Sequence, residues 1–255
     1  MKQIILFVLT FLNFTFVSAF CLKNGIYCLS KSSTLNKNGL IILEFYASSQ
    51  LLITGLNSKY PIYLKCSKGK IMLTIVETLK GEFNLTQIIL KPATILSASE
   101  TYMLQIDNLP KYEAAPKWYN NLTKNREAYT FKVNTIIDIE PPIIKEIATE
   151  YKKTLVYYGC GPSSWVYFNL AGYDVSELFV RATVKNKSTG KITTYMLLLE
   201  NGVVKIGRGM CAGAFGLGNS DKFEVIFQLY DQSGNKSSAT APILFSKPTI
   251  VTNEE

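Results

Sequence analysis

Apolar and polar residues alternate with a period of two through short segments from residue 40 to residue 245, and this pattern constrains the fold most. LIILEFYA (40–47), PIYLKCS (61–67), KIMLTIVETL (70–79), TQIILK (86–91), TYMLQIDNL (101–109) and YTFKVN (129–134) follow one another in the first half. PIIKEIA, SWVYFNLAG, ELFVRATVKN, KITTYMLLLE, VVKIG, FEVIFQLYD and SATAPILF repeat the grammar from residue 142 onward. Side chains of a strand point to opposite faces in turn, so such segments bury one face and wet the other. Their separators, such as Asn38-Gly39, Lys68-Gly69 and Lys80-Gly81, are turn formers. Helical periodicity is nowhere sustained. The best helical candidate, AAPKWYNNLTKNREA (114–128), is too polar and turn-rich for a long helix.

Many short strands with turns between them predict an all-β chain of two tandem antiparallel β-sandwiches. The boundary falls at IIDIEPPII, where Pro141 and Pro142 stiffen the chain and end strand pairing. This assigns 20–138 to the first sandwich, 139–248 to the second and 249–255 to a frayed tail. Residues 1–19 read as a secretory signal peptide. Lys2 precedes an apolar run from Ile4 to Val17, and Val17-Ser18-Ala19 supplies a small-x-small cleavage site. The run is shorter than the ~20 residues of a membrane span, so cleavage leaves Phe20 at the new N-terminus and no transmembrane anchor is expected.

The junction IDIEPPI resembles the Asp-Thr-Thr-Pro-Pro opening of bacterial Ig-like repeats. The turn DQSGNKSS (231–238) is similar to the Asp-x-Ala-Gly-Asn-x-Ser turn before their last strand, with Asp231, Gly234 and Asn235 matching. In the first half, LKPATILSASETYMLQIDNL (90–109) resembles the Pro-x-x-x-Leu…Thr-Tyr-x-Leu-x-Ile pattern of Ig-like domains of the surface-layer-protein kind. The resemblance implies Ig-like sandwiches and says almost nothing of activity, because folds host many functions.

Cys160 and Cys211 lie in the second half, flanked by Gly159, Gly161, Gly209 and Gly213. Glycine permits close approach of two backbones, and exported cysteines are normally oxidised. A Cys160–Cys211 disulfide is therefore expected, with a reactive Cys160 thiol as the alternative. Cys21, Cys28 and Cys66 cannot all pair among themselves. Cys28 with Cys66 is favoured, since both fall in or beside strands, and Cys21 is left over.

The chain has no histidine, which excludes Ser-His-Asp and Cys-His catalysis and His-ligated zinc. Gly207-Arg208-Gly209-Met210-Cys211-Ala212 matches a dinucleotide fingerprint, but no helix pattern follows to hold a pyrophosphate. Ser188-Thr189-Gly190-Lys191 matches a serine–lysine pattern, yet it sits in a turn between strands rather than on a helix. Asp231 lacks the alternating acidic partners of a calcium loop, so a side-chain-capped turn is the better reading. No catalytic residue, cofactor or metal is expected. The formal charge of +8 comes from scattered lysines and arginines rather than a block, which argues against nucleic acid.

What remains is an exported, non-catalytic binding or structural module, with an enzyme or inhibitor built from unrecognised loops as the alternative. The candidate surface is the long segment 108–131, which concentrates Tyr112, Trp118, Tyr119 and Arg126. Aromatic faces with nearby cations suit a protein or carbohydrate partner at the cell surface. Trp118 and Tyr119 are expected to form an exposed anchor, and the competing expectation is that Trp118 plugs the sandwich core.

Overall fold

The computed structural model describes residues 24–120, 122–146, 148–218 and 220–249. Residues 1–23, where the signal peptide and Cys21 are expected, and the tail from residue 250 lie outside the described residues. The chain is almost all β, with 53% strand and 4% helix. Among the described residues no helix is long and apolar enough to cross a membrane.

The first region contributes β1 (Gly25–Cys28), β2 (Thr34–Leu35), β3 (Ile41–Tyr46), β4 (Ile62–Cys66), β5 (Gly69–Lys80), β6 (Leu85–Pro92), β7 (Thr101–Ile106), β8 (Lys117–Asn120), β9 (Asn125–Ala128) and β10 (Thr130–Val133). The second contributes β11 (Ile143–Ile144), β12 (Thr149–Tyr158), β13 (Gly161–Asn169), β14 (Gly172–Tyr173), β15 (Leu178–Asn186), β16 (Ile192–Leu198), β17 (Val203–Arg208), β18 (Phe223–Asp231) and β19 (Ile243–Phe245). A single 3₁₀ helix, Ala47–Gly55, follows β3 among the described residues.

In the first region the ladder runs β1-β3-β6-β5-β4-β7-β10-β2. The twelve-residue β5 pairs with β6 through one part and with β4 through the other, with a register shift between Ile75 and Glu77. A bulge of this kind bends a strand and re-aims the side chains beyond it. Ile41, Leu43, Phe45, Ile88 and Leu90 point into a core drawn wholly from this region, together with Leu64, Leu104 and Phe131. In the second region β12-β13-β17 form a three-stranded sheet and β16-β15-β18-β19 a four-stranded one. Val166, Phe168, Val204 and Ile206 of the first sheet meet Val180, Ala182, Phe227 and Leu229 of the second. Phe168 packs edge-on against both Phe227 and Phe245.

The two cores are not separate, contrary to what independent tandem sandwiches would give. Ile42, Tyr46, Leu85 and Ile89 alternate with the inward residues of β3 and β6, and they join the hydrophobic cluster of the second region. The sheet around β3 and β6 is thus buried on both faces, which its near-continuous apolar sequence allows. Against this face lies β16, the edge of the four-stranded sheet. The Gln87 side chain, fully buried, accepts from Met196 N–H and donates to Met196 C=O, each at 3.0 Å. It does what a neighbouring strand would do, so the edge is covered rather than left open. Arg181 forms two hydrogen bonds to Glu77 at 2.6 and 2.7 Å. Phe83 and Gly213 form an antiparallel bridge between the regions. Gly213 also bridges Arg208 within the second region, where a Cβ would meet the Arg208 Cβ at 2.3 Å, so only glycine permits that second approach.

The strand reading holds for most segments, and four departures are informative. Segment 114–128, the best helical candidate, is instead the hairpin β8–β9, because Trp118, Tyr119 and the residues around them favour extended backbone. The edge strand β12 is masked in the sequence by its mixed TEYKKTLVYY composition. The short β1 and β2 are too brief for a periodic signal. The 3₁₀ helix in ASSQLLITG carries only Ser49 and Leu52 buried, too few for a helical stripe.

Candidate binding surface

The hairpin β8–β9 leaves the first region beside β1. Its register pairs Lys117 with Ala128, Trp118 with Glu127, Tyr119 with Arg126 and Asn120 with Asn125. Paired residues share a face and successive residues alternate. Tyr119 and Arg126 therefore lie on one face, and Trp118 with Glu127 on the other. The two rings point to opposite faces rather than forming one flat anchor, although both are exposed. Trp118 is also no core plug, since it is 39% exposed. On its face, Glu127 accepts from Asn120 at 3.0 Å and Thr123 at 2.6 Å, and these bonds, Thr123 first, hold its carboxyl below the ordinary range.

The hairpin and β1 enclose a cleft of about 300 Å³. Tyr27, Tyr112, Glu113, Lys117 and Arg126 line it, with Asn24 to Ile26 completing the wall. Behind this lining, the 3₁₀ helix braces two wall residues: its buried Ser49 donates to Glu113 Oε2 at 2.6 Å and accepts from Gly25 N–H at 3.1 Å. Tyr27 stands edge-on to Tyr46 at 5.4 Å, and its hydroxyl donates to the Asn24 carbonyl at 3.1 Å. Two aromatic walls, two cations and one carboxylate thus meet in one concave site. Of the four residues singled out in the sequence, the structure brings Tyr112 and Arg126 into this cleft and leaves Trp118 and Tyr119 outside its lining.

A second aromatic surface escapes a reading of the sequence by segments. On the outer face of the three-stranded sheet, Lys152, Tyr167 and Lys205 form one cross-strand row. Both ammonium groups lie over the Tyr167 ring, at 6.0 and 5.5 Å from its centre. Two residues along β13, Trp165 stands between Thr154 and Gly207, and its indole N–H donates to Ser163 at 2.8 Å. The signal is present in SWVYFNL: where Val166 and Phe168 are buried, Trp165 and Tyr167 must face the other way. A wider aliphatic groove of about 850 Å³ runs between 141–146 and 236–243, with Pro141, Pro142 and Pro242 in its walls.

No disulfide joins Cys160 to Cys211 or Cys28 to Cys66, and this corrects the expected clamps. Cys160 lies at the exposed β12–β13 turn. Beyond β17 the chain doubles back, with Gly209 N–H donating to the Ala212 carbonyl at 3.1 Å, and the Cys211 carbonyl accepts from Asn84 at 3.4 Å. This turn carries Cys211 toward the first region instead of along the β13–β17 ladder. Cys28 packs against the first core, where burial pushes its thiol up to about 12. The dinucleotide-like segment ends in that same turn, and no helix follows β17 among the described residues. Ser188 to Lys191 occupy the β15–β16 turn, where Asn186 Oδ1 accepts from Ser188 and Thr189 N–H, and Lys191 pairs with Glu82 at 2.9 Å. These contacts are those of a capped turn.

No family model matches the sequence, and no curated protein does. Among solved structures, a pullulanase from Anoxybacillus sp. LM18-11 complexed with maltotriose aligns at 10% identity and a TM-score of 0.26, covering 84% of this chain and 25% of its own. Pullulanase type I from Bacillus subtilis str. 168 complexed with maltose aligns at 9% identity and 0.25, over 92% and 28%. A β-glucuronidase from Ruminococcus gnavus in complex with D-glucuronic acid gives 12% and 0.20, over 82% and 36%. The chain spans about a quarter of the length of these pullulanases. At such TM-scores the likenesses carry no argument about function.

Proposed function

We propose that this chain is an exported, non-catalytic binding module of two Ig-like sandwiches that holds its partner in the cleft beneath the β8–β9 hairpin. The cleft itself carries the reading, because it gathers Tyr27, Tyr112, Glu113, Lys117 and Arg126 around one concave space. Concave sites with apolar walls and a few convergent polar groups are the usual form of a ligand site. Tyrosine rings offer flat apolar area, while Arg126 and Lys117 donate to hydroxyl, carbonyl or carboxylate oxygens. That chemistry suits an oligosaccharide or an extended peptide of the cell surface. The Ig-like part of the proposal draws support from the second region, where sheets of three and four antiparallel strands face each other across an apolar core. A chain without histidine lacks the commonest general base, which favours binding over turnover.

Immobilised protein probed with glycan and peptide panels tests the reading. Arg126→Ala and Tyr112→Ala should each weaken the captured ligand by about 2 kcal/mol, as interface hot spots do. Trp118→Ala, on the other hairpin face, should leave affinity unchanged. Binding that survives both cleft substitutions, or sustained turnover of a panel member, would overturn it.

A further inference from the structure

We infer that Asp138, Asp174 and Asp231 form a calcium site at the joint between the two regions. The three residues are far apart in sequence and come from different elements. Asp138 lies in the connector between β10 and β11, Asp174 directly follows β14, and Asp231 ends β18. One carboxylate oxygen of each lies within 4.8 Å of the other two. Asp231 is fully buried and Asp138 is only 5% exposed. Three carboxylates packed this closely, two of them away from water and Asp174 half-buried, repel one another unless a cation or a proton intervenes. The ion pairs of the described residues bring no lysine or arginine to them.

The second observation concerns Asp138 itself. Its Oδ1 accepts from Glu140 N–H at 3.1 Å, but its Oδ2 is buried with no hydrogen-bond partner. A buried carboxylate oxygen left unpaired costs free energy, and a coordinated ion removes that cost. The remaining oxygens are oriented by donors: Asp174 Oδ1 accepts from Ser176 N–H and Oγ, both at 2.8 Å, and Asp231 accepts from Asn235 N–H at 2.9 Å and Nδ2 at 2.7 Å. Gly234 N–H also donates to the Asp231 carbonyl at 3.2 Å, so the capped turn read from the sequence exists alongside the cluster. Burial raises the Asp231 carboxyl above its ordinary 3.8, Asn235 opposes the rise, and the charges of Asp138 and Asp174 add to it.

An all-oxygen donor set selects a hard cation over zinc or copper. Calcium takes oxygens at about 2.3–2.6 Å, so two ligands on one ion stand up to about 5 Å apart, whereas magnesium at about 2.0–2.1 Å demands a tighter cage. The same residues tie into a polar network that crosses the joint. The Asp138 carbonyl accepts from Asn38 and Asn235, Ser176 accepts from Gln232 N–H at 3.4 Å, and the Gln232 side chain accepts from Asn36 N–H at 2.9 Å. Bound calcium would therefore stiffen the connector against both regions.

Calcium chloride titrated calorimetrically into chelator-treated full-length protein tests this, with melting followed in parallel. Affinity in the range of extracellular calcium modules, about 10⁻⁴–10⁻³ M, is expected. At a hundredfold excess over Kd the Tm should rise by about 5–10 °C. Asp174→Asn, the least buried ligand, should fold normally and lose about tenfold or more in affinity, and Asp138→Asn should do the same. No heat and no Tm change with calcium would overturn the assignment. So would a response that both variants retain in full, or an equal response to magnesium at the same concentration.

Discussion

The first region has a core of its own, whereas the second shares its core with its neighbour. Every buried member of the cluster around Leu64, Leu104 and Phe131 comes from residues 26–133. The cluster around Phe168 and Phe227 also includes Leu40, Ile42, Tyr46, Leu79, Leu85 and Ile89 from the first region. Tandem sandwiches joined by a flexible linker keep separate cores. Here one sheet of the first region serves two cores, so the regions should unfold together. The difference also explains the polar contacts at the joint. An edge strand such as β16 needs its backbone groups satisfied, and Gln87 satisfies Met196 from across the boundary.

The strongest way to break this comparison is Gln87→Ala. It strands the N–H and C=O of Met196 in a buried place, and each such group costs about 1–3 kcal/mol. A loss of about 4 kcal/mol in chemical denaturation is expected from the two groups together, with faster amide exchange across β15 and β16. Two separate unfolding transitions in the unaltered protein would show that the regions are independent after all.

Glu77→Gln probes the same joint more gently. The pair with Arg181 is partly exposed, at 36% and 22% of the two side chains, so a loss of about 1 kcal/mol is expected at neutral pH. The Arg181 hydrogen bond holds the Glu77 carboxyl below its ordinary 4.5. A lowered folded-state value means the contribution is complete above the ordinary one and fades as pH falls through the lowered one. The gap between Glu77→Gln and the unaltered protein should close on acidification. A gap that widens instead would remove the electrostatic account.

The smallest effect concerns the private core. Burial raises the Cys28 thiol from 9.0 to about 12, which lowers its thiolate about a thousandfold at neutral pH. Iodoacetamide should label the half-buried Cys28 far more slowly in the folded chain than in the urea-unfolded one, without any change in stability. Rapid labelling of folded protein, read by peptide mass, would mean that the first core opens locally.

Part of the candidate surface is legible in the sequence. Tyr112 and Arg126 stand out because exposed aromatics and cations gather in a long segment, and both line the cleft. Tyr27 and Glu113 do not, since Tyr27 reaches the cleft through the packing of β1 beside β8, and Glu113 is held there by Ser49 of the 3₁₀ helix. Trp118 and Tyr119 are misjoined because neighbouring aromatics read as a pair, and only the strand assignment sends them to opposite faces. The cysteines are misjoined for a related reason: flanking glycines permit approach of two backbones but do not choose between a disulfide and a tight turn.

By itself the sequence determined that this chain is all-β, where most of its strands run, and that histidine chemistry is absent. Those properties follow from local alternation and composition, which need no partner to be read. Tertiary structure alone decided what covers the second face of β3 and β6. It also decided that three aspartates from the connector, β14's end and β18 converge. Alternation tells a side chain which face to take, but the identity of whatever packs there is a long-range fact, fixed only when distant segments close on one another.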